Sequence, residues 1–376
     1  MPLYMDRHNV PGLTSKDAAM AHLKDLEIQD EYGCNCINYW VDEERGNVFC
    51  LIDSPSKQVL KEMHNKAHGL IPYDIIEVDT NLVKAFLGQI YGKDPSDLNS
   101  TQYSTNINDP AFRYLLVVDL KDRLVFESLY GKSVATELIK NFNLLVHQSI
   151  QHYFGRIIES NEEFLASFIS VDNAVDCALH LRNSILFQNT CINLPKVNIK
   201  IGLCEGLPVV GNNKLYGEAI KKSKLLSFIS EENKIYLTSC IKGQYKGNSP
   251  QVFNSSRTVR ALNYDEDNFL VRLMDLFYNS IFYKEIDMKE LCYQLGVSTS
   301  KLYRNSISIT GLSPNDLLKE IRLVAATQLM QKQNKNISET SFELGFTNPS
   351  YFTKCFKRRF NLVPANFIKS MNSVLA

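Results

Sequence analysis

Two stretches near the carboxyl end, LGVSTSKLYR at residues 295–304 and LGFTNPSYFT at residues 344–353, repeat one pattern at an offset of 49 residues. Each stretch follows apolar residues at helical spacing, contains a glycine, and opens a second amphipathic segment. The repeat indicates two units that each consist of a helix, a glycine turn and a second helix. It predicts that residues 268–376 form an almost wholly α-helical domain.

The ends of these helices carry residues that favour starts and turns. Asp287 followed by Glu290 predicts a capping box at the start of the first unit. Gly296 supplies the tight turn that lets the next helix cross. In the second unit Asn348 is a helix cap, and Pro349 takes the first helical position, where its missing N–H costs nothing.

The second helix of the second unit combines an aromatic face with a basic one. Phe352, Phe356 and Phe360 recur on one side. Basic residues fill much of the remaining surface: Lys354, Lys357, Arg358 and Arg359. A helix anchored by aromatic rings can present its cations to phosphates and base edges. The charge distribution agrees, because residues 269–376 carry 14 basic and 8 acidic side chains while the whole chain is neutral.

On these residues the region resembles the AraC/XylS family of bacterial regulators, whose DNA-binding domain holds two such motifs joined by a linker helix. The resemblance continues through residues 310–314, 321–323 and 356–364. It implies double-stranded promoter DNA and RNA polymerase as partners. The implied DNA-facing residues are Ser300, Lys301, Tyr303 and Arg304 in the first unit, and Asn348, Ser350, Tyr351, Lys354, Lys357 and Arg358 in the second. Arg304 and Lys354 are the candidates for guanine contacts, and Lys357 and Arg358 for phosphate contacts.

The chain departs from this family pattern at three positions. Ser306 and Ile307 stand where the family has a bulky apolar and a basic residue. Asn361 stands where a glycine is usual. We therefore expect the first motif to bind DNA more weakly or less selectively than the second.

Residues 111–245 alternate strand-like and helical stretches, and they resemble the catalytic domain of class III adenylate/guanylate cyclases. The resemblance lies in residues 116–119, 163–168, 174–178, 199–203 and 235–239. Cyclase chemistry needs two carboxylates that hold metal ions, and polar side chains that meet the charge of the transition state. By this resemblance Asp119 stands at the first metal position and Glu162 at the second. Ile158, Lys221 and Leu225 replace the substrate-recognising and transition-state residues.

We therefore expect a catalytically inactive cyclase-like domain that lacks most catalytic residues and is used for dimerisation or for ligand sensing. The alternative is a working nucleotide cyclase joined to a DNA-binding domain. Formation of cyclic nucleotide from ATP or GTP with Mn²⁺ would distinguish the two.

The first eighty residues contain a candidate metal site. His64 and His68 are four residues apart, so a helix would place both imidazoles on one face, and His8 can approach them in a compact domain. Histidine ligands suit nickel, zinc or copper, although an ordinary surface pair has the same spacing. The segment also resembles a family of small ferredoxin-like domains of unknown function that includes a nickel-binding protein, in residues 1–8, 21–25, 39–42 and 49–51 and around the two histidines. This resemblance implies nickel or another divalent transition metal as cofactor, with His8, His64 and His68 as ligands.

The sequence thus predicts a multidomain chain. Two α+β domains, ferredoxin-like at 1–80 and cyclase-like at 111–245, precede an all-α double helix-turn-helix domain at 268–376. Turn-forming stretches predict linkers at 81–110 and 246–267.

No apolar run approaches the roughly 18 residues of a membrane span, and nine scattered cysteines suit a reducing cytoplasm. We expect a cytoplasmic, homodimeric regulator; a metal buffer or trafficking protein is a further alternative.

Overall fold

The computed structural model describes residues 1–88, 90, 109–160, 162–191, 194–211, 214–254, 257–281, 287–333 and 335–375. Near the N-terminus two helices cover one face of a four-stranded antiparallel sheet, in the strand order β2-β3-β1-β4. The elements are β1 (Leu3–Asn9), α1 (Ser15–Ile28), β2 (Asn35–Asp42), β3 (Asn47–Asp53), α2 (Lys57–Ala67) and β4 (Asp74–Glu77). This order of elements and strands is the ferredoxin-like topology, so the predicted fold of the first domain is confirmed.

The two faces of this sheet have different partners, because side chains alternate along a strand. Tyr4 and Cys50 pack with helices α1 and α2 in one apolar cluster. Leu3 and Met5 point to the opposite face and belong to a larger core that continues into the rest of the chain. The helix-covered face therefore forms a small interior of its own.

A third helix, α3 (Thr80–Leu87), follows the first domain and corrects the predicted linker at 81–110. Asp79 caps it by accepting hydrogen bonds from two backbone N–H groups, and Phe86 is fully buried. The helix packs against the middle domain, where Arg113 Nε donates to the carbonyl of Phe86 at 3.1 Å. Residues 89 and 91–108 of the predicted linker lie outside the described residues.

The middle domain is built on a six-stranded mixed sheet in the order β10-β9-β8-β5-β7-β6. Its strands are β5 (Arg113–Leu120), β6 (Arg156–Ser160), β7 (Phe164–Phe168), β8 (Ile199–Gly206), β9 (Ile235–Thr238) and β10 (Val259–Leu262). Its helices are α4 (Phe126–Tyr130), α5 (Lys132–His152), α6 (Val171–Cys191), α7 (Gly217–Ile229) and α8 (Ser239–Gln244). The predicted α+β class is therefore confirmed.

Strand β5 shows how the middle sheet is covered on both faces. Leu116 and Val118 pack with α5 and α6, whereas Leu115 and Val117 pack with α7. Gly202 on β8 lets α7 approach closely, because a Cβ at this position would lie 2.2 Å from the carbonyl oxygen of Ser223.

The predicted linker at 246–267 is wrong for much of its length. Val259–Leu262 forms β10, which pairs in parallel with β9 at the edge of the sheet. Four residues with a charged Arg260 among them give too short an apolar run to be read as a strand from sequence. The first helix of the last domain then begins at Tyr264.

The last domain is helical, in agreement with the prediction. Its helices are α9 (Tyr264–Ser280), α10 (Met288–Leu295), α11 (Thr299–Thr310), α12 (Pro314–Gln333), α13 (Ile337–Glu343), α14 (Pro349–Phe360) and α15 (Pro364–Leu375). Helices α10 and α11 form the first unit, α13 and α14 form the second, and α12 joins them. Within the described ranges, no helix is both long enough and apolar enough to cross a membrane.

The helix ends agree with the sequence at all but one point. Gly296 adopts a left-handed conformation at the end of α10, and Asn348 caps α14 ahead of Pro349. Asn361 has a φ of 54°, in the left-handed region. Glycine adopts this conformation easily, which accounts for the glycine expected at this position from the family resemblance. The predicted capping box is half formed: Asp287 caps α10, whereas the Glu290 carboxylate accepts from Gln294 one turn later.

Candidate metal centre and DNA interface

The three histidines named from the sequence meet on the helix-covered face of the first sheet. His8 lies on β1, His64 lies in α2, and His68 caps the C-terminus of that helix. Their ring centroids are 4.8 Å apart for His8 and His64, 5.1 Å for His64 and His68, and 6.0 Å for His8 and His68. The structure therefore brings all three side chains together; that they bind metal stays a prediction.

Two buried carboxylates lie among these rings. His64 Nε2 is 2.9 Å from Asp6 Oδ2, and His64 Nδ1 is 3.0 Å from Asp25 Oδ1. His8 Nε2 is 3.3 Å from the second oxygen of Asp6, and His68 Nε2 is 3.2 Å from Asp25 Oδ1. Both ring nitrogens of His64 therefore contact a carboxylate, and this residue lies at the centre of the cluster.

A cysteine thiol completes one side of this histidine–carboxylate cluster. Cys50 on β3 lies directly opposite Asp6 in the strand register, and its backbone N–H donates to Asp6 Oδ1 at 3.3 Å. Two sets of side chains have possible ligand atoms within 4.8 Å of one another: Asp6, His8, Cys50 and His64, and Asp25, His64 and His68. Both sets contain His64.

The charges of the cluster are strongly coupled. Burial would raise the pKa of Asp6, but the charges and hydrogen bonds of His8 and His64 hold it well below its usual range. Burial would lower the pKa of His64, but Asp6 and Asp25 together raise it to about 10. Near neutral pH the protein without metal therefore keeps an imidazolium between two carboxylates.

The donor set fits a divalent transition metal. His8 Nδ1 is buried and has no hydrogen-bond partner among the described residues, so one imidazole nitrogen is left for a ligand. Burial, and then the charges of Asp6 and Asp25, raise the pKa of the Cys50 thiol well above its usual value, so binding by sulfur would displace a proton. Imidazole, carboxylate and thiolate are together the ligands that zinc, nickel and copper accept.

Sequence reasoning missed three members of this cluster. Asp6 is two residues from His8, and the alternation of a strand was a signal that both share a face. Cys50 lies inside an apolar run, and only the pairing of β1 with β3 shows that it is opposite Asp6. Asp25 stands among polar residues of α1, and nothing in the sequence marks it as buried.

The two carboxylates at the cyclase metal positions line one cleft. Asp119 lies near the end of β5, Glu162 lies in the turn between β6 and β7, and Lys200 lines the same cleft. Burial, followed by the charge of Glu163, raises the pKa of Asp119 to about 6, against an opposing effect of Lys200. Helices α12 and α14 of the last domain form another wall of this cleft through Glu320 and Arg359.

The other cyclase positions have structural partners. Leu225 is buried in the core, and Ile158 packs against that core. Lys221 Nζ lies 2.6 Å from Asp275 Oδ1 on α9. Of these three side chains, Lys221 contacts the last domain, and the two apolar ones contribute to the core.

Helix α14 presents the residues named for the second DNA motif. Phe352, Phe356 and Phe360 are buried in a row of ring contacts. The predicted DNA-facing residues of this unit are all exposed: Asn348, Ser350, Tyr351, Lys354, Lys357 and Arg358. The Asn348 side chain is already engaged as a cap, because its Oδ1 accepts from the Tyr351 backbone N–H at 2.7 Å.

Helix α11 presents fewer cations. Ser300, Lys301 and Arg304 are exposed, whereas Tyr303 is half-buried and its hydroxyl accepts from Asn315 Nδ2 at 3.1 Å. Ser306 is buried and donates to the carbonyl of Leu312. Ile307 is exposed at the position where the family has a basic residue, so this helix lacks one cation of the usual pattern.

Arg359 is a correction to the predicted basic face. Its side chain is only 20% exposed and lies between the carboxylates of Glu320 and Asp122. At 100° per residue, position 359 turns from the outer face of α14 toward α12. The exposed cations of this helix are therefore Lys354, Lys357 and Arg358.

Comparisons with known families identify both ends of the chain. Residues 4–78 match the family "Nickel responsive protein SCO4226-like", and residues 291–370 match a helix-turn-helix domain family of the AraC type. Solved structures similar to parts of the chain include SCO4226 from Streptomyces coelicolor, at 30% identity over 20% of this chain and 94% of that one, with a TM-score of 0.20. They also include an adenylate/guanylate cyclase/hydrolase from Silicibacter pomeroyi, at 20% identity over 35% of this chain and 78% of that one, with a TM-score of 0.29.

Curated relatives are similar to between a quarter and a third of the chain. An HTH-type transcriptional regulator of Pseudoalteromonas carrageenovora is 28% identical over 120 residues, which are 32% of this chain and 71% of the relative. The transcriptional activator RhaS of Mannheimia succiniciproducens is 32% identical over 93 residues, 25% of this chain and 35% of the relative. Histidine kinase P4 of Formosa agariphila is 29% identical over 120 residues, 32% of this chain but only 8% of the kinase. The chain therefore carries a SCO4226-like domain at residues 4–78 and an AraC-type DNA-binding domain of transcription regulators at residues 291–370.

Proposed function

We propose that the protein is a transcription regulator of the AraC type whose first domain senses a divalent transition metal such as nickel. The observation that carries this proposal is the presence in one chain of an exposed cationic helix, α14, and of a buried cluster in which His8 Nδ1 has no partner among the described residues. In such a regulator, ligand binding changes the orientation or pairing of DNA-binding domains and so their affinity for an operator.

The two helix-turn-helix units would read successive major-groove segments of double-stranded promoter DNA. Lys354 is the candidate for a base contact, and Lys357 and Arg358 for phosphates. The weaker cationic pattern of α11, with Ile307 exposed, supports a larger contribution from the second unit. RNA polymerase would be the partner through which the bound regulator acts.

The metal would be held by His64 and by other members of one or both ligand sets: Asp6, His8 and Cys50 in the first, Asp25 and His68 in the second. Its positive charge would neutralise Asp6 and Asp25 in place of the proton on His64. His8 and His68 complete the predicted imidazole ligands.

A continuous apolar core supports communication between the two ends. The sheet face opposite the histidine cluster, with Leu3 and Met5, belongs to the same core as Phe86 of α3 and Leu226 of α7. The core continues into α9, and Lys222 Nζ pairs with Asp267 of that helix at 2.7 Å. Strain at the first domain would therefore reach the last domain through packed side chains.

We propose a non-catalytic role for the middle domain, as a module for dimerisation or ligand sensing in a cytoplasmic homodimer. Leu225 and Ile158 bring only apolar atoms to positions where the chemistry needs polar ones. Lys221 is engaged by Asp275. The sharing of one cleft by Asp119 and Glu162 is compatible with a remnant metal position.

The proposal is tested by mapping DNA bound across the genome and then measuring affinity for the mapped DNA with and without Ni²⁺. We expect Ni²⁺ to change the Kd of the wild-type protein by about fivefold or more. His8→Ala should abolish the change, whereas His180→Ala, an exposed histidine on α6, should retain it. If calorimetry shows nickel binding but the Kd for DNA does not move, a metal buffer is the better description.

Lys354→Ala is expected to weaken binding to the mapped site by roughly 1–3 kcal/mol and binding to random DNA by much less, because a base contact carries the discrimination. Arg358→Ala should weaken both DNAs alike and reduce the slope of log Kd against log salt by about 0.9, the value for one phosphate contact. Fluorescence anisotropy at several salt concentrations measures both. Equal losses on the two DNAs for Lys354→Ala would assign that residue to phosphate.

A further inference from the structure

The end of α14 is tied to the middle domain by one guanidinium group. Arg359 Nη1 and Nη2 donate to the two carboxylate oxygens of Asp122 at 2.9 and 3.0 Å. Arg359 Nε lies 2.8 Å from both carboxylate oxygens of Glu320. We call this group of three residues the domain bridge.

The domain bridge joins three separate elements. Asp122 belongs to the turn after β5 in the middle domain, Glu320 to the joining helix α12, and Arg359 to the last turn of α14. Beside it α15 packs against α4, with a hydrogen bond between the hydroxyls of Ser370 and Ser128. All three bridge side chains are less than a quarter exposed, so water screens the pairs less than at an open surface.

The middle domain also lies beside the phosphate-binding end of α14. Glu231 and Glu232 line one open cleft together with Arg358 and Arg359. Glu232 pairs with Lys121 and Glu231 pairs with Lys234, so these carboxylates have cationic partners within the middle domain. The middle domain therefore occupies space next to Arg358, a side chain that would meet a DNA phosphate.

We infer that the domain bridge is an autoinhibitory contact that holds Arg359 away from DNA and the middle domain beside the phosphate-binding end of α14. This inference rests on the proposed DNA-binding function and adds a regulatory contact to it. A guanidinium donates to a carboxylate or to a phosphate in the same bidentate geometry, so a DNA phosphate competes with Asp122 for Arg359. Opening of the bridge therefore strengthens DNA binding.

Asp122→Asn tests the inference with little disturbance of the backbone. Asp122 has a φ of 59°, in the left-handed region that asparagine tolerates well. We expect the Kd for the mapped DNA to fall about fivefold in the variant. If Arg359 gains a phosphate contact, the slope of log Kd against log salt also steepens by about 0.9.

Two further variants separate the bridge from a general effect of charge. Glu137→Gln removes one negative charge from the exposed surface of α5 and should leave the Kd unchanged. In an Arg359→Gln background, Asp122→Asn should add nothing further, because the pair acts as a unit. Equal tightening by Asp122→Asn and Glu137→Gln, or full additivity with Arg359→Gln, would overturn the inference.

Hydrogen exchange on the same proteins separates this inference from the proposed function. Faster exchange of the α4 and α15 amides in Asp122→Asn, together with tighter DNA binding, supports the bridge. If the wild-type protein binds DNA with salt dependence and the variant has the same Kd, the proposed function is upheld and the autoinhibitory role of the bridge is overturned. If neither protein binds duplex DNA, both fail, whereas binding by the variant alone would show a fully inhibited wild type.

Discussion

His64→Ala is expected to lower the free energy of unfolding of the metal-free first domain by about 3–5 kcal/mol. His64 is fully buried, and its two ring nitrogens are the partners of Asp6 and Asp25. Alanine would leave both carboxylates buried without their central partner. Urea denaturation followed by tryptophan fluorescence measures the loss, because Trp40, the single tryptophan of the chain, is buried in this domain.

The effect should depend on pH with a defined sign. The pKa of His64 is raised from its ordinary value of about 6.5 to about 10, so its contribution is complete below pH 6.5 and is lost as pH rises toward 10. The pKa of Asp6 is lowered, so the carboxylate contribution is present above about pH 4 and is lost in stronger acid. The difference between wild type and variant should therefore be largest between about pH 4 and 6.5.

The same variant tests the metal site, since His64 belongs to both ligand sets. Ni²⁺ should raise the urea midpoint of the wild-type protein and leave that of His64→Ala unchanged, because only binding to the folded state stabilises it. His180→Ala serves as the control and should behave as wild type in both experiments. A variant as stable as wild type at pH 6, with an intact nickel response, would contradict both the buried charge network and the ligand assignment.

The sequence predicted the helical domain better than the connections before it. Helix spacing and caps are local, so Gly296 and Asn348 could be assigned from a few neighbours. Strand β10 depends on pairing with β9, a partner more than twenty residues earlier, and its four residues carry too little pattern. Helix α3 lies next to turn-forming sequence, and the predicted linker therefore includes most of it.

Only the histidines of the candidate metal centre could be predicted from the sequence. The spacing of His64 and His68 is a helix property, and His8 was expected near them in a compact domain before the family resemblance supported all three. Asp6 and Cys50 meet across two strands in an antiparallel register, and Asp25 reaches His64 from another helix. Such contacts come from tertiary packing, and one sequence does not reveal them.

Phe356→Ala is expected to cost about 3–5 kcal/mol and to abolish DNA binding by the second unit. Phe356 is fully buried, and its ring centroid lies 5.7 Å from that of Phe352, 4.6 Å from Phe360 and 6.1 Å from Phe367. Removal of this ring leaves a cavity between α14 and α15. Thermal unfolding followed by circular dichroism should show the loss in the helical domain, and anisotropy should show the loss of affinity.

Lys357→Ala is the matched control, because it changes the adjacent residue on the outer face of the same helix. Its exposed side chain should alter stability by less than about 0.5 kcal/mol while reducing the salt slope by about 0.9. The two variants thus separate the packing that positions α14 from the charge that it presents. A stable Phe356→Ala protein with wild-type affinity would show that the aromatic row does not hold this helix against its domain, and the assignment of α14 as a recognition helix would lose its structural basis.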